Sequence, residues 1–352
     1  MNSRTFGSWK NLLWRHETLL LAVLVVEWLL FYHYGTSTNR RGIVVGFGTL
    51  DRQFDILRHS CEIGLLALAL TPVILTGGID LSVGSLLGLC AIVFGKLWHD
   101  GGLSLPVAAA LTLVAGGLGG AVNAGLITWL RLPPLIVTLG TYSLFRGLAE
   151  AVTQGAVTYT DFPAGFLFVG QERWGGVPVQ SWFFALVAVA IWLLVHRTAS
   201  GRSFRAIGFA PEGARYAGLP VARRVASVYV LAGLVAGLAA LIYTARLGQA
   251  KADAGTGYEL YAITAVVLGG TSIFGGRGSV TGTLLGVAAI AVLTNGLACL
   301  PVVIRLNGTQ ETSGVLTGVL LLVALAGGAL PKILSQLGSR HQAPAATTPP
   351  SA

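Results

Sequence analysis

The sequence predicts an all-α protein, a polytopic membrane helical bundle of about ten transmembrane helices in two weakly related halves. Three observations lead there. Of 352 residues, 54% are hydrophobic and 11% charged, where a soluble globular domain carries roughly 25% charged side chains. The mean hydropathy is +0.73, which excludes a water-soluble fold. The 48 glycines against 13 prolines suit helices packed closely through small residues rather than a barrel of strands with alternating polarity.

A spanning helix takes about 20 apolar residues. Runs of that order fall at residues 17–34, 61–77, 81–98, 104–130, 133–152, 181–196, 225–246, 258–275, 280–300 and 312–330. The first follows Arg4, Lys10 and Arg15 but carries Glu27, with no small-residue cleavage site before Tyr34, so it reads as a retained helix rather than a signal peptide. Gly77 and Gly78 divide the second run from the third. Asn123 marks the fourth, and it either bonds to a neighbouring helix or lines a polar path. Arg146 and Glu150, four residues apart in the fifth, are placed to satisfy each other on one helix face. A hydrophilic loop, 197–224, separates the sixth from the seventh. Residues 1–16 form a cytoplasmic segment, 17–330 the transmembrane domain and 331–352 a cytoplasmic tail, polar and Pro-rich from His341.

Orientation follows from Lys and Arg near the segment ends. With the N-terminus inside, thirteen lie on the cytoplasmic side, six of them arginines in 197–224, and nine lie outside. The loop 35–60, with Arg40, Arg41, Arg52 and Arg58, works against the bias. Trp98, Trp129, Trp182 and Trp192 fall near segment ends, where amphipathic rings settle at headgroup level. The net charge of +9 reports this topology; no basic run is interleaved with aromatics, so no nucleic-acid partner is expected. Cys61, Cys90 and Cys299 are odd in number, without C-x-x-C spacing, and read as small buried hydrophobes.

No G-x-x-x-x-G-K-[ST], H-E-x-x-H or G-x-S-x-G pattern occurs, nor a cluster of His with carboxylates at ligand spacing. The chain is therefore not expected to be an enzyme or to hold a metal or cofactor. Ion-coupled carriers keep ionisable groups inside the bilayer; here these are Glu27, Asp80, Arg146 and Glu150. Asp80 follows Gly77-Gly78-Ile79 and precedes Leu81-Ser82. It reads as a helix N-cap, with direct substrate contact as the other reading.

Two features suggest transport. Val73 to Gly88, VILTGGIDLSVGSLLG, is echoed by Val266 to Gly286, VVLGGTSIFGGRGSVTGTLLG; the first is interrupted at Gly77 and Gly78, the second at Gly269 and Gly270. Paired glycine interruptions in corresponding halves point to a transport site at a repeat interface; a tight turn in each half is the plainer reading. The second feature is loop 197–224. Gly201 and Gly208 punctuate it, with Arg202 and Arg205 between them. Pro211 suits a first helical position, Glu212 the positive end, Arg215 the last turn and Gly218 the stop. Such a short helix, presented to the cytosol, is a docking element for a protein partner; a basic loop on anionic membrane lipid is the alternative.

The motifs GGIDLSVGS at 77–85, NAGLITWLRLPPLIVTLGT at 123–141 (which includes Thr138), GRSFRAIG at 201–208 and VVLGGTSIFGGRGSV at 266–280 resemble the ribose/xylose/arabinose-type permeases of ABC importers, from about residue 60 to 330. The resemblance implies a bacterial inner-membrane subunit that translocates a monosaccharide by alternating access. It also implies an ABC ATPase subunit, a periplasmic sugar-binding protein and a second permease chain as partners, with Pro211–Gly218 as the coupling helix. The chain departs from the family at Phe209-Ala210, where Gly-Asn is usual, and at Tyr261, where the family carries an acidic residue. A secondary carrier acting without ATPase is the rival class; a branched-chain amino acid or nucleoside is the rival substrate.

Overall fold

The helices of the computed structural model follow the apolar runs closely. It describes residues 16–38, 44–297, 299, 315, 318 and 319. In chain order these are α1 (His16–Tyr34), a hairpin of β1 (Thr36–Thr38) and β2 (Val44–Gly46), α2 (Leu50–Leu75), α3 (Val83–His99), α4 (Leu105–Thr128) and α5 (Pro134–Val152). Next come α6 (Ala164–Gln171), a second hairpin of β3 (Arg173–Trp174) and β4 (Val177–Pro178), and α7 (Val179–Arg197). The chain continues with α8 (Ala199–Phe209), α9 (Pro211–Tyr216), α10 (Val221–Leu247), α11 (Tyr258–Leu268) and α12 (Val280–Leu297). Among the described residues, six helices are long and apolar enough to cross a membrane: α2, α4, α5, α7, α10 and α12. The expected segments 1–16 (but for His16), 312–330 (but for residues 315, 318 and 319) and 331–352 lie outside the described residues.

Three boundaries differ from the sequence expectation. Residues 50–60, read as loop, are the first turns of α2, whose charged side chains find partners at that end of the bundle: Arg52 reaches Cys299, and Asp51 meets Arg173 at 2.8 Å. The run 258–275 is not one span. Its helix ends at Leu268, because Gly270, Gly275 and Gly276 take φ values of 86°, 83° and 76°, which a helix cannot accommodate. Third, Gly201 and Gly208 lie inside a helix, α8, instead of breaking the chain.

α2 runs through the middle. Every residue from Gly64 to Leu75 is buried, as a helix apolar on all sides requires. α10 crosses α4 through two small-residue pairs, Gly116/Gly120 and Gly233/Gly237. A Cβ on Gly120 or Gly233 would run into the other helix's backbone, so the helices approach as closely as their backbones allow. α1 packs on α12 through a smaller cluster containing Phe31, Phe47 and Val292.

Contacts define two ends. At one, Leu75, Gly208 and Gly276 meet, Arg224 donates to Ser200 at 2.6 Å, and Ser279 donates to Glu17 at 2.6 Å. At the other, Tyr159 pairs with Ala250 and donates to Asp100 at 2.9 Å, while Phe162, just before α6, and Phe166 within it pack on Phe94 at ring separations of 5.5 and 4.9 Å. The first end carries loop 197–224, which the arginine count predicts to face the cytoplasm.

Candidate functional site

The sequence echo becomes a structural repeat. At the end of α2, the Gly77 N–H bonds the Ile74 carbonyl at 2.9 Å and the Gly78 N–H the Val73 carbonyl at 3.1 Å. At the end of α11, the Gly270 N–H bonds the Val267 carbonyl at 2.9 Å and the Thr271 N–H the Val266 carbonyl at 3.2 Å. Gly77 and Gly270 have φ of 84° and 86°. Both are Schellman stops, with the left-handed residue at the same place in the echoed sequence. Gly269 packs against the Gly282–Thr283 backbone of α12, and the halves are tied where Thr71 and Thr283 hydroxyls meet at 2.9 Å.

The end of α8 sits on the α2 stop and on the glycine loop that follows the α11 stop. Thr198 caps α8 by accepting from the Gly201 N–H at 3.3 Å, and Arg205 donates to the Val195 carbonyl at 3.2 Å. At the far end of α8, a Cβ on Gly208 would collide with the Leu75 carbonyl and the Gly276 nitrogen. Those two groups are themselves hydrogen-bonded at 2.9 Å. One glycine of the loop thus touches the turn of each half. α9 opens on Pro211; Glu212 and Arg215 pair at 3.4 Å on its exposed face. Gly218, with φ of 79°, stops it: its N–H bonds Arg215 and the Leu219 N–H bonds Ala214. Arg202 is exposed. Phe209 and Tyr216 are 76% and 88% exposed, leaving two aromatic rings uncovered beside the exposed pair.

Asp80, Ser82, Asn123 and Thr138 come together in a second, buried cluster. Asp80 Oδ1 accepts from the Ser82 N–H at 2.8 Å and the Ser82 hydroxyl at 2.7 Å. Asn123 donates to the Ser82 oxygen at 2.8 Å and accepts from the Thr141 hydroxyl at 2.7 Å, and Thr138 donates to the Ile79 carbonyl at 3.1 Å. The N-cap position of α3 belongs to Ser82; Asp80 lies two residues earlier and closes an Asx-type turn rather than capping the helix itself. This network joins α3, α4 and α5. Asp80→Ala would leave two buried donors without an acceptor, at about 1–3 kcal/mol. We expect lower yield of folded protein in the membrane and unchanged preference among solutes in the protein that remains; a changed preference at full yield would refute the structural role.

The expected Arg146–Glu150 pair does not form. Glu150 is exposed, and Arg146 turns instead to the carbonyls of Ala252 and Ala254, because the segment before α11 is cradled on α3 beside it. Sequence reasoning missed a different pair. Glu62 of α2 is fully buried and accepts from Arg246 Nε of α10 at 2.7 Å. Arg246, one of the nine cations expected outside, lies in the last turn of α10. A carboxylate at the second position of an expected span, 61–77, was the available signal.

A helical bundle with six candidate spans among the described residues and a glycine stop repeated at Gly77 and Gly270 has the build of a multi-pass membrane permease. The model of the family described as "branched-chain amino acid transport system / permease component" matches residues 53–325. The chain belongs to this family and is an ABC importer permease, a multi-pass protein of the bacterial inner membrane. It is 39% identical over 317 residues to the autoinducer 2 import system permease protein LsrD of Yersinia pseudotuberculosis, covering 88% of this chain and 90% of that one. The LsrD of Yersinia pestis matches to the same extent. A solved structure of a metal-chelate type ABC transporter in an inward-facing conformation matches with TM-score 0.50 and 17% identity, over 87% of this chain and 98% of that chain; this likeness concerns the fold alone.

Proposed function

We propose that the chain, joined to a second permease chain and to ABC ATPase subunits that hydrolyse ATP on its behalf, imports a monosaccharide or similarly small hydroxylated solute delivered by a periplasmic binding protein. The observation that carries this reading is Gly208, where the loop segment meets the turns of both halves. A partner that grips α8–α9 and changes shape would drag both turns at once, biasing an inward-open against an outward-open arrangement. The exposed Phe209 and Tyr216 rings beside Glu212 and Arg215 suit a protein partner, since aromatic and arginine side chains dominate such contacts. The absence of a P-loop pattern agrees with a motor on another chain. The relatives' names make autoinducer 2 a particular solute to test beside sugars.

Glu212→Arg and Arg215→Glu, made separately, are expected to abolish uptake while the protein still inserts and accumulates in the membrane. Uptake of labelled solute and membrane abundance measured together check this. Normal uptake in both variants would remove the coupling role of α9, and ATP-independent uptake by the unaltered chain would favour a secondary carrier.

A further inference from the structure

A cavity of about 260 Å³ lies between α2, α10, α11 and α12. It is remote from the paired turns: His59 on its rim precedes Leu75 by sixteen residues of α2, about 24 Å at the helical rise. The cavity therefore occupies the half of the bundle opposite α8–α9.

Its lining is specific in chemistry. Tyr258 and Tyr261 from α11, Thr294 and Asn295 from α12, and His59 and Arg246 face it, beside an apolar strip of α12. Among the described lining residues Arg246 carries the one fixed charge, and it is matched: Nε is held by Glu62 at 2.7 Å, and Nη1 lies 3.2 Å from His59 Nδ1. A guanidinium only donates, so that imidazole nitrogen accepts. With the charge neutralised from behind, an ionic ligand would gain little and lose its hydration. Thr294 and Asn295 each donate to a carbonyl of α12, Ile290 and Ala291, at 2.8 Å, and their oxygens remain as acceptors. With two phenols and an apolar wall they offer hydrogen bonds and flat C–H contact to a small neutral molecule, the usual composition of a small-ligand site. The volume, just under the roughly 300–1,000 Å³ of drug-sized sites, suits something small.

We propose that this cavity is an outer binding site for a neutral, polyhydroxylated small molecule, with Tyr261 and Asn295 setting the preference among such ligands. The proposal rests on the importer reading and adds to it a place for the solute and two residues that choose among solutes. It also gives Tyr261, where the resembled family carries an acidic residue, a consequence: a phenol there keeps the wall free of negative charge.

The test uses the full chain with its importer partners in membrane vesicles, and labelled ribose, xylose, glucose and autoinducer 2, with leucine and gluconate as controls. The unaltered complex is expected to carry at least one of the neutral polyols in preference to both controls. Tyr261→Ala and Asn295→Leu are expected to raise KM for that solute about tenfold, the size of one or two lost hydrogen bonds, or to reorder the panel. Should either variant fail to reach the membrane, Tyr261→Phe, which removes one hydroxyl, decides, with about a threefold rise expected. Unchanged KM and ranking in the variants that insert, or preference for leucine or gluconate by the unaltered complex, would overturn the proposal. Uptake that persists without ATP would instead defeat the importer reading, so the two failures are told apart.

Discussion

Gly208→Val is expected to eliminate transport, by steric displacement rather than by charge reversal. The new Cβ would meet the Leu75 carbonyl and the Gly276 nitrogen, both backbone atoms, and neither can rotate away as a side-chain tip would. Overpacking of this kind costs about 1–3 kcal/mol where neighbours yield, and here the neighbours are the last residue of α2 and the glycine loop after α11, bonded to each other. The helix pair must then lift off one turn or both. Even Gly208→Ala should lower uptake about tenfold or more if the displaced contact is worth that same order of energy. The measurement is solute uptake at matched membrane abundance, with ATPase activity of the assembled complex followed in parallel. Loss of uptake with hydrolysis retained marks uncoupling; wild-type uptake by Gly208→Val would show that the contact transmits nothing.

The second large effect belongs to the Glu62–Arg246 pair. Arg246→Met would leave a fully buried carboxylate without its cation, and breaking a buried pair from one side costs about 3–5 kcal/mol. We expect a marked fall in the thermal unfolding midpoint of the purified protein. Glu62→Met alone should be comparably damaging, because the guanidinium beside it then lies uncompensated. The double variant should recover much of the loss, since replacing both ions with apolar groups of similar volume is often neutral. A double-mutant cycle on the unfolding midpoint checks this. Additive losses would mean that the two groups act independently despite their 2.7 Å separation.

These two sites differ in how far they could be read from the residues. Gly208 was singled out as punctuation of a cytosolic loop, and the short helix at Pro211 was anticipated from its proline, acid and glycine. What could not be anticipated was that Gly208 lies within a helix and touches Leu75 and Gly276, because glycine's tendency to end helices is overruled when only a hydrogen fits the contact. Glu62 and Arg246 are 184 residues apart, and nothing local ties a carboxylate at the start of one span to a guanidinium at the end of another. Arg146 shows the opposite error: its spacing to Glu150 invited a local pair, yet two backbone carbonyls from the segment before α11 offered a nearer partner.

The sequence by itself determined the membrane class, the position of most helices and the repeated glycine stops. Each of these is dictated by local chemistry: a spanning segment must be apolar for about 20 residues, and a left-handed stop wants glycine. Only the tertiary structure decided which helices meet, that both stops press on one loop helix, that the buried ions pair, and that Tyr261 and Asn295 share a cavity. Those are relations between distant segments, set by how close backbones can pack and by where buried polar groups find partners, and no single stretch of chain contains them.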